Sequence, residues 1–412
     1  MRLLRDREDL AGTARGRDRR KLTAAVRHLV HAGAGAPPLA YILRVTHDVA
    51  PRLSENLLAL PRQLIDIGKI YLEPGVEDYA RGRDILARYP HAERIEVRSH
   101  WNIPALHGNE GSSEDWLGIK RGTLVLGKKK ALACRPNGRS AHFIAPSTSN
   151  GCAMACAYCY VPRRKGYANP ITLFVNVDDI CRAVRRHAAR QGALPAPDQV
   201  DPRFWVYDLG ENGDLSVDAS MCDNVKDLVA LFRELPNAKA SFATKFVNPD
   251  LLSYDPQRKT RVRFSLMPEK IAKVVDVRTS PVADRIAAVS EFERAGYEVH
   301  LNFSPVVMYE GWEDDYRGLF DQVDQTLSPA AKDQLRAEII FLTHNGPLHE
   351  INMRWHPKAE EYLWTPATQE PKRSENGMWN VRYKAPWKQR WLARFQELLA
   401  ERLPYCGVRY AF

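Results

Sequence analysis

Between about residue 140 and residue 345 the sequence alternates short strand-like segments with amphipathic helical segments. This alternation is typical of parallel β/α units, in which a helix connects each strand to the next. Two helical faces are marked by Val225, Leu228, Val229, Phe232 and Leu235, and by Ile286, Val289 and Phe292 before Gly296. The six predicted strands are His142–Ala145, Phe204–Asp208, Ala240–Lys245, Val262–Leu266, Val299–Phe303 and Ile339–Thr343.

The order of polar and apolar residues within these strands predicts what the sheet encloses. Side chains alternate between the two faces of a strand, so Arg263 and Ser265 share one face, as do His300 and Asn302 on another strand. Lys245 falls on the polar face of its own strand. A closed barrel fills its interior with branched apolar side chains. Polar inner faces therefore predict an open or partial barrel around a cofactor.

The rest of the chain divides into three further regions. Residues 1–65 are Arg-rich and Ala-rich and are interpreted as a basic extension. Residues 66–140 predict a small α/β unit that precedes the barrel of residues 141–345. Residues 346–412 predict a β-hairpin that turns at Asn376-Gly377 and is followed by a final helix, with basic and aromatic residues suited to nucleic acid.

Charge and hydropathy narrow the class of protein. The 412 residues carry a formal net charge of +10, which favours a partner rich in phosphate. No apolar run approaches the roughly 18 residues needed to span a bilayer, so we expect a cytoplasmic protein without a membrane partner. In a reducing compartment, seven cysteines are more often metal ligands, catalytic thiols or buried residues than disulfides.

Three of these cysteines, Cys152, Cys156 and Cys159, form a C-x3-C-x2-C motif directly after a predicted strand. Three thiolates on one short loop can bind three irons of a cubane cluster and leave the fourth iron open for a small molecule. Structural zinc usually takes four ligands, and no other Cys or His lies within twenty residues after Cys159 or nine before Cys152. Structural zinc and three inert cysteines remain the alternatives. Cys134, Cys181 and Cys406 are expected to be buried, and Cys222 begins a predicted helix.

Several motifs together resemble the spore photoproduct lyase family of the radical S-adenosylmethionine superfamily, from about residue 67 to the C-terminus. They are Cys156-Ala157-Tyr158-Cys159-Tyr160, Phe174-Val175-Asn176-Val177-Asp178, Thr244-Lys245-Phe246, Arg263-Phe264-Ser265, Thr279-Ser280-Pro281, Glu310-Gly311-Trp312 and Trp355-His356-Pro357-Lys358. The resemblance implies an α/β fold, a partial (β/α)6 barrel with an N-terminal α/β unit and a C-terminal β-hairpin plus helix. It also implies a [4Fe–4S] cluster, S-adenosylmethionine and an electron donor such as flavodoxin or ferredoxin. The implied reaction uses a 5′-deoxyadenosyl radical to take a hydrogen from a thymine–thymine adduct in DNA, after which two thymines are restored.

The same resemblance implies roles for single residues. Lys245 and Ser265 match positions that contact S-adenosylmethionine, and Tyr158 and Tyr160 match tyrosines implicated in returning the hydrogen. The segment Lys372–Tyr383 matches a hairpin that inserts at the lesion. On it, Arg373 takes the place of a lesion-contacting arginine, and Arg382 and Tyr383 are further candidates for binding nucleic acid.

One position departs from the family pattern. The family has a hydrogen-donating cysteine in the turn after the second barrel strand, where this sequence has Glu211. A glutamate here resembles one that binds the ammonium group of S-adenosylmethionine elsewhere in the superfamily, a favourable charge-assisted pair. It is alternatively a solvated turn residue. Cys222 is then the candidate substitute thiol, and Tyr158 with Tyr160 is the preferred route for the hydrogen.

Three functions remain open at this point. The first is repair of a thymine photoproduct or a related base adduct in DNA. The second keeps the radical chemistry but acts on a modified nucleoside, RNA or a peptide. The third is an iron–sulfur protein that binds nucleic acid without turnover.

Overall fold

A computed structural model describes residues 64–107, 110–161, 166–373 and 377–412. The predicted basic extension therefore lies outside the described residues except for its last two positions, and so does Asn376 of the predicted hairpin turn.

The strands, in chain order, are β1 (Lys69–Leu72), β2 (Glu93–Glu96), β3 (Thr123–Gly127), β4 (Arg135–Pro136), β5 (Phe143–Ile144), β6 (Ser149–Asn150), β7 (Ile171–Phe174), β8 (Trp205–Asp208), β9 (Ala238–Thr244), β10 (Thr260–Ser265), β11 (Glu298–Val306), β12 (Arg336–Phe341), β13 (Thr343–His344), β14 (Gln369–Arg373), β15 (Trp379–Tyr383) and β16 (Gly407–Ala411).

The helices of the described residues are α1 (Ala80–Arg88), α2 (Pro104–His107), α3 (Ser113–Gly122), α4 (Val177–Gln191), α5 (Leu215–Asp218), α6 (Asn224–Glu234), α7 (Glu269–Val275), α8 (Val282–Arg294), α9 (Trp312–Thr326), α10 (Pro329–Gln334), α11 (Gly346–Trp355), α12 (Pro357–Leu363) and α13 (Ala385–Arg402), and a 3-10 turn lies at Pro249–Ser253. None of the described helices is long and apolar enough to cross a bilayer.

The main sheet has eight strands in the order β16-β12-β11-β10-β9-β8-β5-β4. Six neighbouring strands of this sheet, β12, β11, β10, β9, β8 and β5, pair in parallel. This pairing confirms the predicted partial (β/α)6 barrel. Strand β16 adds a parallel edge beside β12, and β4 adds an antiparallel edge beside β5. The sequence analysis did not predict β16.

The predicted division between the faces of the barrel strands is confirmed. Val262, Phe264, Val299 and Leu301 are fully buried in the core beneath the outer helices. Complete burial of one such side chain contributes roughly 1.5–3 kcal/mol. The inner face is polar, and Arg263 on it donates to the carboxylates of Asp208 and Glu338.

A second sheet, of five strands in the order β2-β1-β3-β7-β6, forms the N-terminal α/β unit. Its strands β6 and β7 come from beyond residue 140, where the sequence analysis placed the boundary with the barrel. All four residues of β7 are buried, so this strand lies between two neighbours rather than at an edge. The cysteine motif falls between β6 and β7, so one end of its loop is fixed in each strand of this sheet.

The C-terminal region forms a three-stranded antiparallel sheet in the order β13-β15-β14, followed by α13. Helix α13 packs against α9, and the ring of Phe395 lies 4.8 Å from that of Tyr316 and 5.5 Å from that of Phe303. The predicted hairpin and final helix are present, and the helix attaches the hairpin to the barrel core.

Candidate active site

A cavity of about 430 Å³ opens where the carboxyl ends of β8, β9, β10 and β12 meet the cysteine loop. Ligand sites in open α/β sheets commonly lie at this edge. Eight of the residues singled out from the sequence line it, namely Cys152, Cys156, Tyr158, Cys159, Tyr160, Glu211, Lys245 and Ser265.

Backbone hydrogen bonds hold the cysteine loop against the barrel. The amide of Ala155 donates to the carbonyl of Val277 at 3.0 Å, and that of Ala157 donates to the carbonyl of Val275 at 2.9 Å. Arg278 donates through Nε to the carbonyl of Ala153 at 3.0 Å. The loop is therefore positioned by the segment that follows α7 and keeps its shape through main-chain contacts.

Gly151 begins the loop in a conformation that other residues rarely adopt, with a φ of 89°. A Cβ atom at this position would lie 2.4 Å from the carbonyl oxygen of Pro170. We expect Gly151→Ala to destabilise the protein by about 1–3 kcal/mol and to displace the adjacent Cys152. Urea unfolding and the iron content after anaerobic reconstitution measure the two effects.

The matched control for that substitution is Gly192→Ala. Gly192 also has a positive φ, of 64°, but no atom lies within 4 Å of the position its Cβ would take. If Gly151→Ala lost no more stability and iron than Gly192→Ala, close packing at Gly151 would be unimportant for the loop.

The three thiols of the motif lie together at the cavity wall. Burial raises the pKa of Cys152 and of Cys156, so neither thiolate is stable there without a cation. Lys120 of α3 is buried beside them, and its Nζ donates to the carbonyl of Cys152 at 3.0 Å. Among the described residues that line the cavity there is no fourth cysteine. The donor set fits a cluster held by Cys152, Cys156 and Cys159 with one iron open to a ligand.

A buried carboxylate, Asp276, connects the predicted cofactor residues. It accepts from Lys245 Nζ at 3.3 Å, from Arg285 at 3.0 Å and from the hydroxyl of Tyr158. Burial alone would raise the pKa of Asp276, but Lys245 and Arg285 hold it below its usual value. Arg285 also donates to the carbonyl of Ser265 at 2.7 Å. The sequence analysis missed Asp276 because it lies in a loop, outside the strand pattern.

Asp214 fixes the other side of Lys245. Its carboxylate accepts from the backbone amide of Lys245 at 3.0 Å and from the hydroxyl of Thr244 at 2.8 Å. Burial raises the pKa of Asp214 to about 6. The main chain of Lys245 is thus bound to the buried carboxylate of Asp214, and its ammonium group is bound to that of Asp276.

A third buried carboxylate supports the loop from α11 and α12. Glu360 accepts from Asn352 Nδ2 at 2.6 Å, and Asn352 donates to the carbonyl of Ala157 at 2.6 Å. His344 and His349 also bond to Glu360, at 3.1 and 2.6 Å. No sequence motif identified these residues as partners, because they meet only in the folded chain.

Glu211 lies at the boundary between the cavity and a second, smaller one of about 250 Å³. Its carboxylate forms an ion pair with Arg135 of β4. Its carbonyl accepts a hydrogen bond of 2.8 Å from the hydroxyl of Tyr160. The turn that lacks the family thiol is therefore in direct contact with a phenol.

Cys222 does not join this group. It is fully buried in the apolar cluster that also contains Ala153 and Met154, and it is not among the residues that line the cavity. The structure therefore gives no support to Cys222 as the substitute thiol, because packing in this apolar cluster separates its thiol from the cavity. Burial also raises the pKa of Cys222 to about 12.

The three hairpin residues predicted to bind nucleic acid differ in their exposure and in the face of the hairpin on which they lie. Arg373 is exposed, lies opposite Trp379 and shares a face with Tyr383, whereas Arg382 is half-buried on the other face. Tyr383 is buried, and its hydroxyl accepts from the amide of Met308 at 2.9 Å. The structure therefore gives Tyr383 a structural role, because its side chain anchors the hairpin to the barrel, and its contact with nucleic acid stays a prediction.

An open (β/α)6 sheet with a three-cysteine loop at its mouth defines a radical S-adenosylmethionine enzyme. The model of the family "Spore photoproduct lyase" matches residues 67–411. The chain belongs to the spore photoproduct lyase family.

Individual relatives agree with this assignment. The spore photoproduct lyase of Bacillus subtilis (strain 168) is 26% identical over 294 residues, which cover 71% of this chain and 82% of the relative. That of Clostridium acetobutylicum is 26% identical over 278 residues, 66% of this chain and 77% of the relative. A spore photoproduct lyase double mutant solved with bound AdoMet and dinucleoside spore photoproduct superimposes with a TM-score of 0.76 at 21% identity, covering 84% of this chain and 99% of that one. This structural likeness shows the shared fold.

Proposed function

We propose that this protein reverses a thymine photoproduct in DNA by radical cleavage of the bond that links the two thymines. The observation that carries the proposal is that one cavity is lined by the three cysteines together with Lys245 and Ser265. Solved structures of spore photoproduct lyases hold AdoMet and a dinucleoside spore photoproduct, and this supports the proposal. We place the reaction in the cytoplasm, with flavodoxin or ferredoxin as the electron donor.

The chain's own residues would hold and orient the reactants. Cys152, Cys156 and Cys159 hold the cluster, which with S-adenosylmethionine supplies a 5′-deoxyadenosyl radical. Lys245 and Ser265 contact S-adenosylmethionine from the inner face of the barrel. The apolar residues at the end of β12, Ile340 to Leu342, complete the cavity and exclude water from a carbon radical.

The hydrogen that completes repair must come from a group at the cavity wall. Among the described residues, the cavity contains no thiol other than those of the three cluster cysteines. Tyr158 and Tyr160 remain as candidates. The hydroxyl of Tyr158 donates to the buried carboxylate of Asp276, so Tyr160, whose hydroxyl donates to the carbonyl of Glu211, is the preferred donor. In this route the O–H bond of Tyr160 breaks as a C–H bond forms on the thymine. A hydrogen from the methyl group of 5′-deoxyadenosine then restores the phenol, so the radical returns to the nucleoside.

We expect Tyr160→Phe to stop the return of hydrogen, because phenylalanine has no O–H bond to give. The lesion should still be opened, but yields of restored thymine should fall at least tenfold and side products should appear. Chromatography with mass spectrometry of the digested DNA measures both. Cys222→Ala serves as the comparison and should repair normally. Equal repair by Tyr160→Phe, Cys222→Ala and the double variant would exclude both residues as donors.

Glu211 in place of the family thiol also supports a second candidate function. A radical enzyme whose substrate needs no returned hydrogen would not require a donor in that turn, and a modified nucleoside, RNA or a peptide is then the substrate.

The experiment that separates the candidates supplies anaerobically reconstituted protein with reductant, S-adenosylmethionine and DNA that contains either the spore photoproduct or a cyclobutane dimer. We expect restored thymine only from the spore photoproduct. Turnover of S-adenosylmethionine without any change to either DNA would favour the second candidate.

A further inference from the structure

Three side chains of the kind that bind transition metals meet in the C-terminal region. His344 lies on β13, His349 on α11 and Glu360 on α12. His344 Nε2 is 3.1 Å from each carboxylate oxygen of Glu360, and His349 Nδ1 is 2.6 Å from Glu360 Oε2. One nitrogen of each histidine and a carboxylate oxygen of Glu360 all lie within 4.8 Å of one another. We call these three residues the His–His–Glu cluster.

The spacing of the His–His–Glu cluster suits a single metal ion. Zinc binds imidazole nitrogen and carboxylate oxygen at about 2.0–2.2 Å, usually with tetrahedral geometry, so its ligand atoms are roughly 3.3 Å apart. The nitrogen–oxygen distances of 2.6 and 3.1 Å in the cluster are slightly shorter than this. Small movements of the side chains would therefore admit the ion. Two imidazoles with one carboxylate are also the protein ligands of several zinc enzymes.

The negative charge of Glu360 has no permanently charged partner. Its side chain is only 3% exposed, and in the described part of the chain no lysine or arginine forms an ion pair with it. By contrast, Asp276, the buried carboxylate of the active site, pairs with both Lys245 and Arg285. A buried carboxylate is costly unless it is paired or coordinates a metal. A divalent cation would supply the balancing charge, whereas neutral histidines supply only hydrogen bonds.

Neighbouring groups orient the ligands as they do at metal centres. Asn352 Nδ2 donates to Glu360 Oε1 at 2.6 Å, while Oε2 is the oxygen that faces His349. The ring of His349 stacks on the indole of Trp364, with ring centres 4.1 Å apart and an angle of 9° between the planes. Outer contacts of this kind fix the orientation of metal ligands and commonly account for about 10- to 100-fold in metal affinity.

The His–His–Glu cluster is separate from the active-site cavity but connected to it. Its three residues are not among those that line the cavity, whereas Leu348 and Asn352 of α11 are. Asn352 also donates to the carbonyl of Ala157 in the cysteine loop at 2.6 Å. An ion bound by the cluster would therefore hold α11 behind the cysteine loop without contacting the substrate.

We propose that His344, His349 and Glu360 bind one zinc ion that joins β13, α11 and α12. Imidazole ligands favour zinc over magnesium and calcium, and the usual order of stability favours zinc over iron(II) and manganese(II). The side chain of His349 is 23% exposed, so water can reach the ion on that side and take the fourth position. This site lies outside the proposed repair reaction and does not depend on it.

The test uses a full-length Cys152→Ala/Cys156→Ala/Cys159→Ala variant, so that the cysteine motif cannot provide a metal site. Cobalt(II) is added first, because its visible absorption reports four-coordinate binding, and zinc is then titrated against it. We expect one cobalt per chain, displaced by one equivalent of zinc. Adding Glu360→Gln keeps a carbonyl acceptor for the histidines but removes the charge, and it should weaken zinc binding by about 100-fold or more.

The control is His142→Gln in the same background. His142 also bonds to a carboxylate, that of Asp198 at 2.8 Å, but among the described residues it belongs to no group of three metal-binding side chains. The control should bind zinc like the background. Circular dichroism establishes that each variant is folded, and His349→Gln, at the partly exposed ligand, replaces Glu360→Gln if that variant misfolds.

Two results would overturn the zinc site and leave a cluster held by hydrogen bonds alone. One is a background protein that binds neither cobalt nor zinc. The other is equal zinc binding by the background and by the folded ligand variant. Because none of these proteins carries the cysteine motif, the result is independent of the repair reaction.

Discussion

Replacing any one of Cys152, Cys156 or Cys159 with alanine is expected to abolish formation of 5′-deoxyadenosine while leaving the barrel folded. The three thiols lie on one loop, and two cannot hold the cluster in the geometry that leaves a single iron open. The main-chain hydrogen bonds that position the loop do not involve the thiols, so the loss of one sulfur should have little effect on folding. Anaerobic assays with dithionite, together with iron and sulfide analysis, measure the result.

Cys181→Ala is the matched control, because Cys181 is a free cysteine on α4 and does not line the cavity. It should keep full cluster content and full cleavage of S-adenosylmethionine. Full activity in Cys156→Ala, or stoichiometric zinc on the three cysteines of protein prepared without air, would contradict the assignment of an iron–sulfur site.

Replacement of Asp276 with alanine is expected to cost about 3–5 kcal/mol in the free energy of unfolding. The carboxylate is completely buried, and its removal leaves Lys245 and Arg285 as buried cations without their shared partner. Urea unfolding measures the loss. An exposed aspartate, Asp333, provides the control, and Asp333→Asn should change stability by less than about 0.5 kcal/mol.

The same carboxylate should make stability depend on pH. Because the pKa of Asp276 is lowered in the folded protein, its contribution is present at neutral pH and is lost as the pH falls through that lowered value. The parent should therefore lose more stability than Asp276→Asn between neutral and acidic pH. Equal losses would show that the ion pairs of Asp276 do not stabilise the fold.

The parts of the site that could be predicted from the sequence are those whose pattern lies within one loop or one strand. The spacing of Cys152, Cys156 and Cys159 needs only one loop, and the inward direction of Arg263 and Ser265 follows from alternation along one strand. Both predictions agree with the cavity. The core of the barrel was predictable for the same reason, since each strand carries its own apolar face.

The parts that the sequence did not predict depend on contacts between distant segments. Lys120 belongs to a helix of the N-terminal unit and reaches the cysteine loop only because β6 and β7 join that unit's sheet. Asp276 meets Tyr158 across 118 positions of the chain. Tyr383 and Cys222 have residue types suited to chemistry, but tertiary packing buries both outside the lining of the cavity.

The most direct test of the proposed repair reaction uses a dinucleoside spore photoproduct with deuterium on both thymine rings. Anaerobically reconstituted protein is supplied with S-adenosylmethionine and reductant, and the products are analysed by mass spectrometry. We predict that the photoproduct is converted to two linked thymidines and that deuterium appears in 5′-deoxyadenosine. Unlabelled 5′-deoxyadenosine formed at the same rate with and without the photoproduct, and a photoproduct that remains intact, would contradict the account.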